Sequence, residues 1–448
     1  MPNTLFLPEL REMLAENNAA ELREFCTALH PARTAEFMEG LNVQESWEVL
    51  RHADSGARAE IFSYLDLQKQ IEIIETNDRA EMGRLILDLP PDERVDILNE
   101  VDPHVVDEIL SLLPADERRD ILRLSTYPEG TAGAVMTTDF ARLSEGLTVA
   151  EALADVRKQV EQYETIYYLY VVDGGDHLRG LVSLRQLVLA KPSVRLDDIM
   201  HREIVAVEVF DDQEEVAQKL AQYDFLAIPV IDHERHLVGI ITHDDVIDVV
   251  REEATEDAHR IAGMAPLTTG YLETSLLSLT GKRSLWLTII CFLSLGTAWA
   301  LSKYEHVIDG IAWLVFFIPL VNSCGGNSGN QSATLVITAM STGDITLRDW
   351  ARVIRREFLT GLMLGTALGA IGFGAALTMG RTFREASVLP LTILLVVTCG
   401  TLTGSLLPMI FRRLGLDPAL MSNPFVASLI DLLGVIIYMS VALALLTV

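Results

Sequence analysis

The segment SNPFVASLIDLLGVIIYMSVALALLT, residues 422–447, decides the fold, because it is apolar and long enough to cross a bilayer yet contains an aspartate. A charged side chain at bilayer depth costs at least about 2.5 kcal/mol, so Asp431 is expected to face a polar cavity and to be functional. Ala427 and Asn423 precede it at intervals of four residues, on the same helix face. This face indicates the lining of a cation pathway. The alternative is a packing carboxylate, but the nearby apolar stretches lack basic partners.

Five apolar stretches predict five membrane spans, and Asp431 is the only acidic residue expected deep within one of them. Eight basic residues flank the spans on one side and three on the other, which places the N-terminus in the cytoplasm and the C-terminus outside. The predicted spans are 284–302, 311–341, 357–379, 388–411 and 422–447.

The charge of the chain is concentrated before the first predicted span. Residues 1–283 contain 55 of the 63 acidic residues and 26 of the 35 basic residues. Such an acidic module is expected to recruit counterions, and it argues against nucleic acid as a partner, although ordinary solubility would explain the charge as well. The N-terminus lacks a basic start followed by an apolar run, so this module is expected to stay on the side of synthesis. The four scattered cysteines indicate neither a disulfide framework nor a thiolate metal site.

Residues 1–130 contain an internal repeat of 24 residues. Its clearest copies are LPPDERVDIL (89–98) and LPADERRDIL (113–122), and leucines recur at positions 41, 65, 89 and 113. Proline and acidic residues suit the first turn of a helix. A short repeat of helices predicts an α-solenoid, a scaffold that does not define a function by itself.

A second repeat, of 59 residues, relates YVVDGGDHLRGLVSLRQLV (170–188) to PVIDHERHLVGIITHDDVI (229–247). Each copy resembles a CBS domain, a βαββα module that pairs and senses ligands. In that family a Ser or Thr and an acid three residues later hold a nucleotide ribose. Thr242 and Asp245 keep this pattern, whereas the first copy has Ser183 and Gln186. The resemblance therefore makes ATP a possible ligand at the CBS pair.

A polar segment, GGNSGNQSAT (325–334), lies inside the second predicted span. On physical grounds it suits a kinked packing seam, because glycines allow close helix approach and amides bridge helices. With the flanking PLVNSC and LRDW, and with REFLTGLMLG, SLLPMIFRRLGLDPAL and SNPFVASLIDLLGVIIY further on, it also resembles the signature of the MgtE family of magnesium transporters and channels. This resemblance extends over essentially the whole chain.

The resemblance implies a homodimer whose pore is lined by spans two and five of both subunits, with Asp431 as the magnesium-binding aspartate and Asn423 and Ala427 as its neighbours. It also implies acidic residues that sense cytoplasmic Mg²⁺. The residues that match are Asp212, Glu214, Asp224, Asp245, Glu253, Glu256, Asp257 and Asp417, with Glu60, Asp92 and Asp96 in the N-terminal domain.

The expected architecture is a multidomain plasma-membrane protein: a helical solenoid (1–130), tandem CBS domains (131–250), a connector helix (251–282) and an all-α pore domain of five spans (283–448). The expected function is passive, magnesium-gated Mg²⁺ transport by a homodimer rather than enzymatic catalysis. Two alternatives remain open: transport of Co²⁺, Ni²⁺ or another divalent ion, and a membrane-anchored CBS sensor of nucleotides. An anchor needs no intramembrane carboxylate, which argues against the second.

Overall fold

The computed structural model describes residues 6–160, 163–267, 270–272 and 274–446. The chain divides into two compact units, Met1–Val250 and Arg251–Val448. The first unit contains the helical repeat and the two CBS repeats. The second contains the end of the connector helix together with the long apolar helices.

Short helices occupy the N-terminal part of the first unit. They are α1 (Leu7–Ala15), α2 (Ala19–Ala28), α3 (Pro31–Met38), α4 (Val43–Arg51), α5 (Ser55–Ser63), α6 (Leu67–Thr76), α7 (Arg79–Asp88), α8 (Pro91–Glu100), α9 (Pro103–Leu112) and α10 (Ala115–Leu124). Helices two positions apart pack on one another along two parallel series, α3–α5–α7–α9 and α4–α6–α8–α10. This stacking confirms the predicted solenoid.

The leucines of the 24-residue repeat form the solenoid core. Leu41, Leu65, Leu89 and Leu113 are all buried. Leu122 is 51 % exposed, although the equivalent Leu98 is buried, because α10 is the last helix of the stack.

Charged side chains close the turns of the solenoid. The buried Arg94 donates from Nε to the carbonyl of Leu89 (2.6 Å) and from an Nη to that of Leu87 (2.8 Å), and it pairs with Glu117 (2.9 Å). These carbonyls lie at the C-terminal end of α7, where a helix leaves acceptors open. The buried guanidinium is therefore satisfied by the backbone that it caps.

Two copies of the βαββα module follow. The first copy consists of β1 (Phe140–Ser144), α11 (Val149–Gln159), β2 (Thr165–Val172), β3 (Leu178–Ser183) and α12 (Leu184–Leu189). A short helix, α13 (Leu196–Ile199), leads to the second copy. The second copy consists of β4 (Val207–Glu208), α14 (Gln213–Gln222), β5 (Ala227–Ile231), β6 (Leu237–Thr242) and α15 (His243–Ile261). In each sheet the first strand is parallel to the second and the second is antiparallel to the third. The two matching topologies confirm the tandem CBS prediction.

The equivalent glycines of this repeat have equivalent environments. A Cβ atom on Gly180 would collide with the side chain of Met200, and one on Gly239 would collide with that of Met136. Each glycine therefore leaves room for a methionine that packs across its strand.

The second unit is built from helices. They are α16 (Leu276–Ser302), α17 (Glu305–Gly310), a 3-10 helix (Ala312–Phe317), α18 (Ile318–Ser341), α19 (Trp350–Thr378), α20 (Phe383–Ala386), α21 (Val388–Arg413) and α22 (Asn423–Leu445). Among the described residues, four helical segments are long and apolar enough to cross a membrane: Leu276–Ser302, Leu347–Thr378, Phe383–Arg413 and Asn423–Leu445. They correspond to four of the predicted spans.

The remaining predicted span, 311–341, becomes a short 3-10 helix followed by α18. With 24 residues, α18 is about 36 Å long and could cross a bilayer. Because of its polar segment, α18 is less apolar than the four segments named above. It nevertheless packs along both α21 and α22, so it belongs to the same helical bundle.

Glycines bring α18 and α21 into backbone contact. A Cβ on Gly400 would collide with the carbonyl oxygen of Gly325, and one on Gly404 would collide with that of Gly329. Because small residues allow helices to approach closely in a membrane, part of the polar segment does form a packing seam.

Candidate ion pathway and regulatory sites

The first turns of α22 carry the predicted pathway residues. The helix begins at Asn423, and Ala427 and Asp431 follow at intervals of four residues on the same face. All three residues are partly exposed within the described chain. Their arrangement is the one that the spacing predicts.

The face of α22 that contains these residues is in contact with the polar segment of α18. Asn423 Nδ2 donates to Thr334 Oγ1 (3.1 Å), and the Thr334 hydroxyl is 3.2 Å from Asn423 Oδ1. A Cβ added to Gly326 would lie 3.6 Å from that of Ala427. Helices α18 and α22 thus approach each other along the predicted pathway stripe.

Asp431 is a carboxylate within a candidate membrane span, Asn423–Leu445. Among the described residues it has no hydrogen-bond partner and no ion-pair partner. On α18, the side-chain oxygens of Asn322 and Asn330 are also buried without a described partner. A carboxylate and two amide oxygens without partners leave capacity for donors such as water or a hydrated cation.

A second carboxylate, Glu357, lies at the first residue of the predicted span 357–379. Helix α19 starts at Trp350, seven residues before the predicted span, so Glu357 lies two turns inside it. Ser332 Oγ of α18 donates to Glu357 Oε2 at 2.5 Å. The sequence signal was an acid at the first residue of a predicted span.

An exposed polar stripe runs along α18. Ser323, Asn327 and Gln331 recur every four residues and are all exposed in the single chain. Asn327 Nδ2 donates to Ser323 Oγ at 3.2 Å. Lipid offers no hydrogen bonds to such groups, so this face requires water or protein against it.

In the second unit, the connector end of α15 contacts the loops of the membrane helices. Arg260 pairs with both Glu256 and Asp417, and Ser341 Oγ donates to Asp257 Oδ2 at 3.1 Å. Burial raises the pKa of Asp257, against the effect of that hydrogen bond. Glu253 lies one turn before Asp257 on the same helix. Of the four acids predicted here, Glu256 and Asp417 therefore share one arginine, and Glu253 lies close enough to Asp257 to raise its pKa further.

In the first unit, an acidic cleft of about 1190 Å³ includes the predicted residues Glu60 and Asp245. Burial and the neighbouring carboxylates of Asp245 and Asp244 raise the pKa of Glu164 to about 7. The other acidic residues that line the cleft are Asp88, Glu93, Asp116, Glu117, Asp120, Asp139, Asp244 and Asp248.

Asp92 lies beside this cleft and is partly buried. Burial and the charge of Asp245 raise its pKa well above the ordinary value, and its Oδ1 atom has no described partner. Asp96 is one turn further along α8. Crowded, desolvated carboxylates of this kind gain stability from a proton or a cation.

The predicted residues on α14 do not form one site. Asp212 caps the start of the helix by accepting from Glu214 N (2.8 Å), whereas Asp224 follows its end with a positive φ of 52°. Ten residues of helix separate the two ends by about 15 Å. Across the described ranges, no group of three or more His, Cys, Asp or Glu side chains is arranged to hold a metal ion.

The CBS copies differ as nucleotide sites. In the second copy, the Thr242 hydroxyl bonds the Asp245 carboxylate, which faces the acidic cleft. In the first copy, Ser183 and Gln186 line a less polar cavity of about 350 Å³. Gln186 Oε1 accepts from Ser183, and its Nε2 lies 2.9 Å from His201 Nε2. The smaller cavity thus lies at the copy that lacks the acid, whereas Asp245 of the predicted pair lines the acidic cleft.

Family models match most of the solenoid, both CBS copies and the helices from α18 to α22. Residues 318–441 match the MgtE family, described as divalent cation transporter, and residues 29–130 match the MgtE intracellular N domain. Residues 132–193 and 196–252 each match the CBS domain.

Two individual relatives extend this match. The magnesium transporter MgtE of Thermus thermophilus is 43 % identical over 71 % of this chain and 71 % of its own length. The one from Enterococcus faecalis is 37 % identical over 70 % of this chain and 69 % of its own.

Two solved structures resemble the first unit. The soluble part of a magnesium transporter is 34 % identical, with a TM-score of 0.53, and covers 55 % of this chain and 97 % of its own. The cytosolic domain of the Mg²⁺ channel MgtE in complex with ATP is 37 % identical, with a TM-score of 0.51, and covers 54 % and 98 %. From the solenoid to the last apolar helix, this chain belongs to the MgtE family of magnesium transporters.

Proposed function

We propose that this chain conducts Mg²⁺ passively through a pore in which Asp431 binds the ion. The observation that carries the proposal is a carboxylate in a candidate span, partly exposed and without a described partner. Carboxylates at such depth are expensive and mark ion pathways. The magnesium transporters among its relatives support Mg²⁺ as the substrate.

Magnesium releases its water reluctantly, so the pore is proposed to bind the hydrated ion through outer-shell hydrogen bonds. Asp431 supplies charge and acceptors, while Asn423 and the carbonyl of Ala427 contact further waters. Because Asn423 is itself hydrogen-bonded to Thr334, its amide is held in one orientation. Selectivity then arises from the spacing of polar groups rather than from dehydration.

The pore is proposed to lie between two copies of the chain. The exposed stripe of Ser323, Asn327 and Gln331 on α18 supports this, since a polar face within a bilayer needs a polar neighbour or water. A second copy of α18 and α22 would enclose a wet pathway and contribute a second Asp431. With the charge bias of the loops, the N-terminus is proposed to be cytoplasmic and the C-terminus external.

Regulation by cytoplasmic Mg²⁺ is proposed for two acidic regions. One is the cleft that includes Glu60 and Asp245, next to Asp92 and Asp96. The other is the cluster of Glu253, Glu256, Asp257 and Asp417. Cation binding relieves carboxylate repulsion and stabilises whichever conformation holds the ion. The acids at the two ends of α14 are proposed to bind Mg²⁺ only together with another part of the dimer. They are Asp212, Glu214 and Asp224.

A nucleotide is proposed as a second ligand, at the cavity of the first CBS copy rather than at Thr242 and Asp245. The related cytosolic domain solved in complex with ATP supports a nucleotide. The aromatic rings of Tyr168 and Phe225 line the cavity and suit a base. Replacing the cavity residue Ala227 by Leu should abolish ATP binding measured by calorimetry, whereas Asp245→Asn should preserve it.

Flux measurements in liposomes test the main proposal. Purified protein should admit Mg²⁺ down its gradient without ATP, and a comparison with Co²⁺ and Ni²⁺ should reveal the ion preference. Flux that requires ATP hydrolysis would reject a passive channel.

A further inference from the structure

The cavity of the first CBS copy is lined by a glutamine whose side-chain oxygen is already fully used. Gln186 Oε1 accepts from Ser183 N (2.8 Å) and from Ser183 Oγ (3.0 Å), and Gln186 N donates back to the same hydroxyl (3.2 Å). An amide oxygen has two lone pairs, so neither remains for a ligand. The backbone N–H of Ser183 also fixes the orientation of the amide, because only the amide oxygen can accept from it.

The amide nitrogen of Gln186 has a partner as well. Its Nε2 lies 2.9 Å from Nε2 of His201, so it donates to an imidazole that carries its proton on Nδ1. Two backbone hydrogen bonds with Leu181, each 2.9 Å long, hold His201 in turn. Gln186 is therefore satisfied without a ligand. A nucleotide that lacked a sugar hydroxyl would leave no acceptor of Gln186 unpaired, so this residue cannot select for ribose.

The second CBS copy shows how an acid differs from an amide at this position. The backbone N–H and the hydroxyl of Thr242 both bond one carboxylate oxygen, Oδ2 of Asp245. The turn does not need the other oxygen, Oδ1, which can accept from a ligand. Gln186 has no second oxygen. In the first copy, an acceptor for sugar hydroxyls must therefore come from another residue.

Glu203 is the only carboxylate among the described residues that line this cavity. It is exposed, and it has no hydrogen-bond or ion-pair partner within the ranges that the structure describes. The same set of lining residues contains no lysine or arginine, so these walls offer no cationic partner to phosphates. Since the rings of Tyr168 and Phe225 suit the base, the polar lining is left for the sugar.

We propose that Glu203 accepts hydrogen bonds from the ribose hydroxyls of the bound nucleotide and thereby selects ribonucleotides. This assignment rests on the nucleotide proposed for the cavity. A carboxylate has two acceptor oxygens and can bind both hydroxyls of a vicinal diol. A nucleotide without these hydroxyls leaves the carboxylate unpaired. Because hydrogen bonds to charged groups are strong, their loss should lower the affinity at least about tenfold.

Calorimetry of the full-length protein with ATP and with 2′,3′-dideoxy-ATP tests the assignment. The wild type should bind ATP at least about tenfold more tightly than dideoxy-ATP. Glu203→Gln should lose most of this preference, because an amide is a weaker acceptor, and should keep the wild-type affinity for dideoxy-ATP. Adding Gln186→Asp to Glu203→Gln should restore the preference, because it supplies a carboxylate at the position that Asp245 occupies in the second copy.

Glu208→Gln is the matched control, since Glu208 is an exposed acid five residues further along that does not line the cavity. It should keep the wild-type preference for ATP. An undiminished preference in Glu203→Gln, or no preference in the wild type, would overturn the assignment. Loss of dideoxy-ATP binding in Glu203→Gln would also contradict it, since Glu203 would then support the cavity as a whole. If the wild type binds neither nucleotide, the proposed nucleotide site is itself rejected, and this assignment with it.

Discussion

Asn423 and Thr334 exchange a side-chain hydrogen bond of 3.1–3.2 Å that joins the start of α22 to the polar segment of α18. The bond lies on the same helix face as Ala427 and Asp431. It therefore ties two features that were separate in the sequence, the polar segment and the intramembrane aspartate, into one stripe.

Loss of this bond should impair conduction more than stability. Membrane hydrogen bonds contribute about 0.6 kcal/mol on average, so Thr334→Val should still fold. It should lower Mg²⁺ flux, because Asn423 loses its fixed orientation, and Asn423→Ala should add little further loss in the double variant. Flux and thermal unfolding of the two single variants and the double variant measure the coupling. Thr338→Val, one turn along α18, is the control; additive losses would show that the two residues act independently.

Glu357 should stabilise the bundle through Ser332. Glu357→Ala leaves a buried hydroxyl without its acceptor and should lower the Tm, whereas Glu357→Gln keeps an acceptor and should retain most of the stability. Ser332→Ala should remove the difference between the two variants. Equal Tm values for Glu357→Ala and wild type would show that this hydrogen bond contributes nothing.

The sequence predicted the fold of this protein more fully than its contacts. Repeats of 24 and 59 residues specified the solenoid and the CBS pair, because each copy must bury the same face. Hydropathy missed the first two turns of α19 because they are rich in arginine. It could not show that Glu357, at the start of the predicted span, accepts a hydrogen bond from Ser332. Only the symmetry of the 59-residue repeat could have predicted that His177 stacks on His236. The ion pair of Arg260 with Asp417 depends on tertiary packing, which no local pattern encodes, whereas Glu256 lies one turn before Arg260 on the same helix.

The acidic cleft should make stability depend on pH. The pKa of Glu164 rises from 4.5 to about 7 on folding. The folded state thus binds the proton more tightly than the unfolded state, so this contribution is present at low pH and is lost as pH rises toward 7. Without divalent ions, the Tm should fall between about pH 5 and about pH 8. Glu164→Gln should reduce that fall, whereas Glu129→Gln at an exposed position should not. If the Tm of the wild type instead rises over this pH range, the raised pKa of Glu164 is contradicted.

Magnesium should protect the cytosolic regions from proteolysis. Divalent binding between carboxylates stabilises the compact state, whereas Na⁺ at matched ionic strength only screens charge. Neutralising Glu253, Glu256 and Asp257 together should move the inhibition of flux to higher Mg²⁺, and removing residues 1–130 should weaken closure without blocking conduction. If digestion is equal with Mg²⁺ and with Na⁺, the acidic residues serve solubility only and the proposed regulation by Mg²⁺ is rejected.

The central claim is that Asp431 binds the transported ion, and Mg²⁺ flux through Asp431→Ala in liposomes tests it most directly. The protein should insert at wild-type levels, because the substitution removes an unpartnered charge from a membrane helix. We predict that Mg²⁺ flux or its selectivity is lost, and that Asp431→Asn, which keeps the shape and some hydrogen bonding but not the charge, is impaired less severely. Wild-type Mg²⁺ flux and selectivity in Asp431→Ala, at equal protein per liposome, would contradict the account.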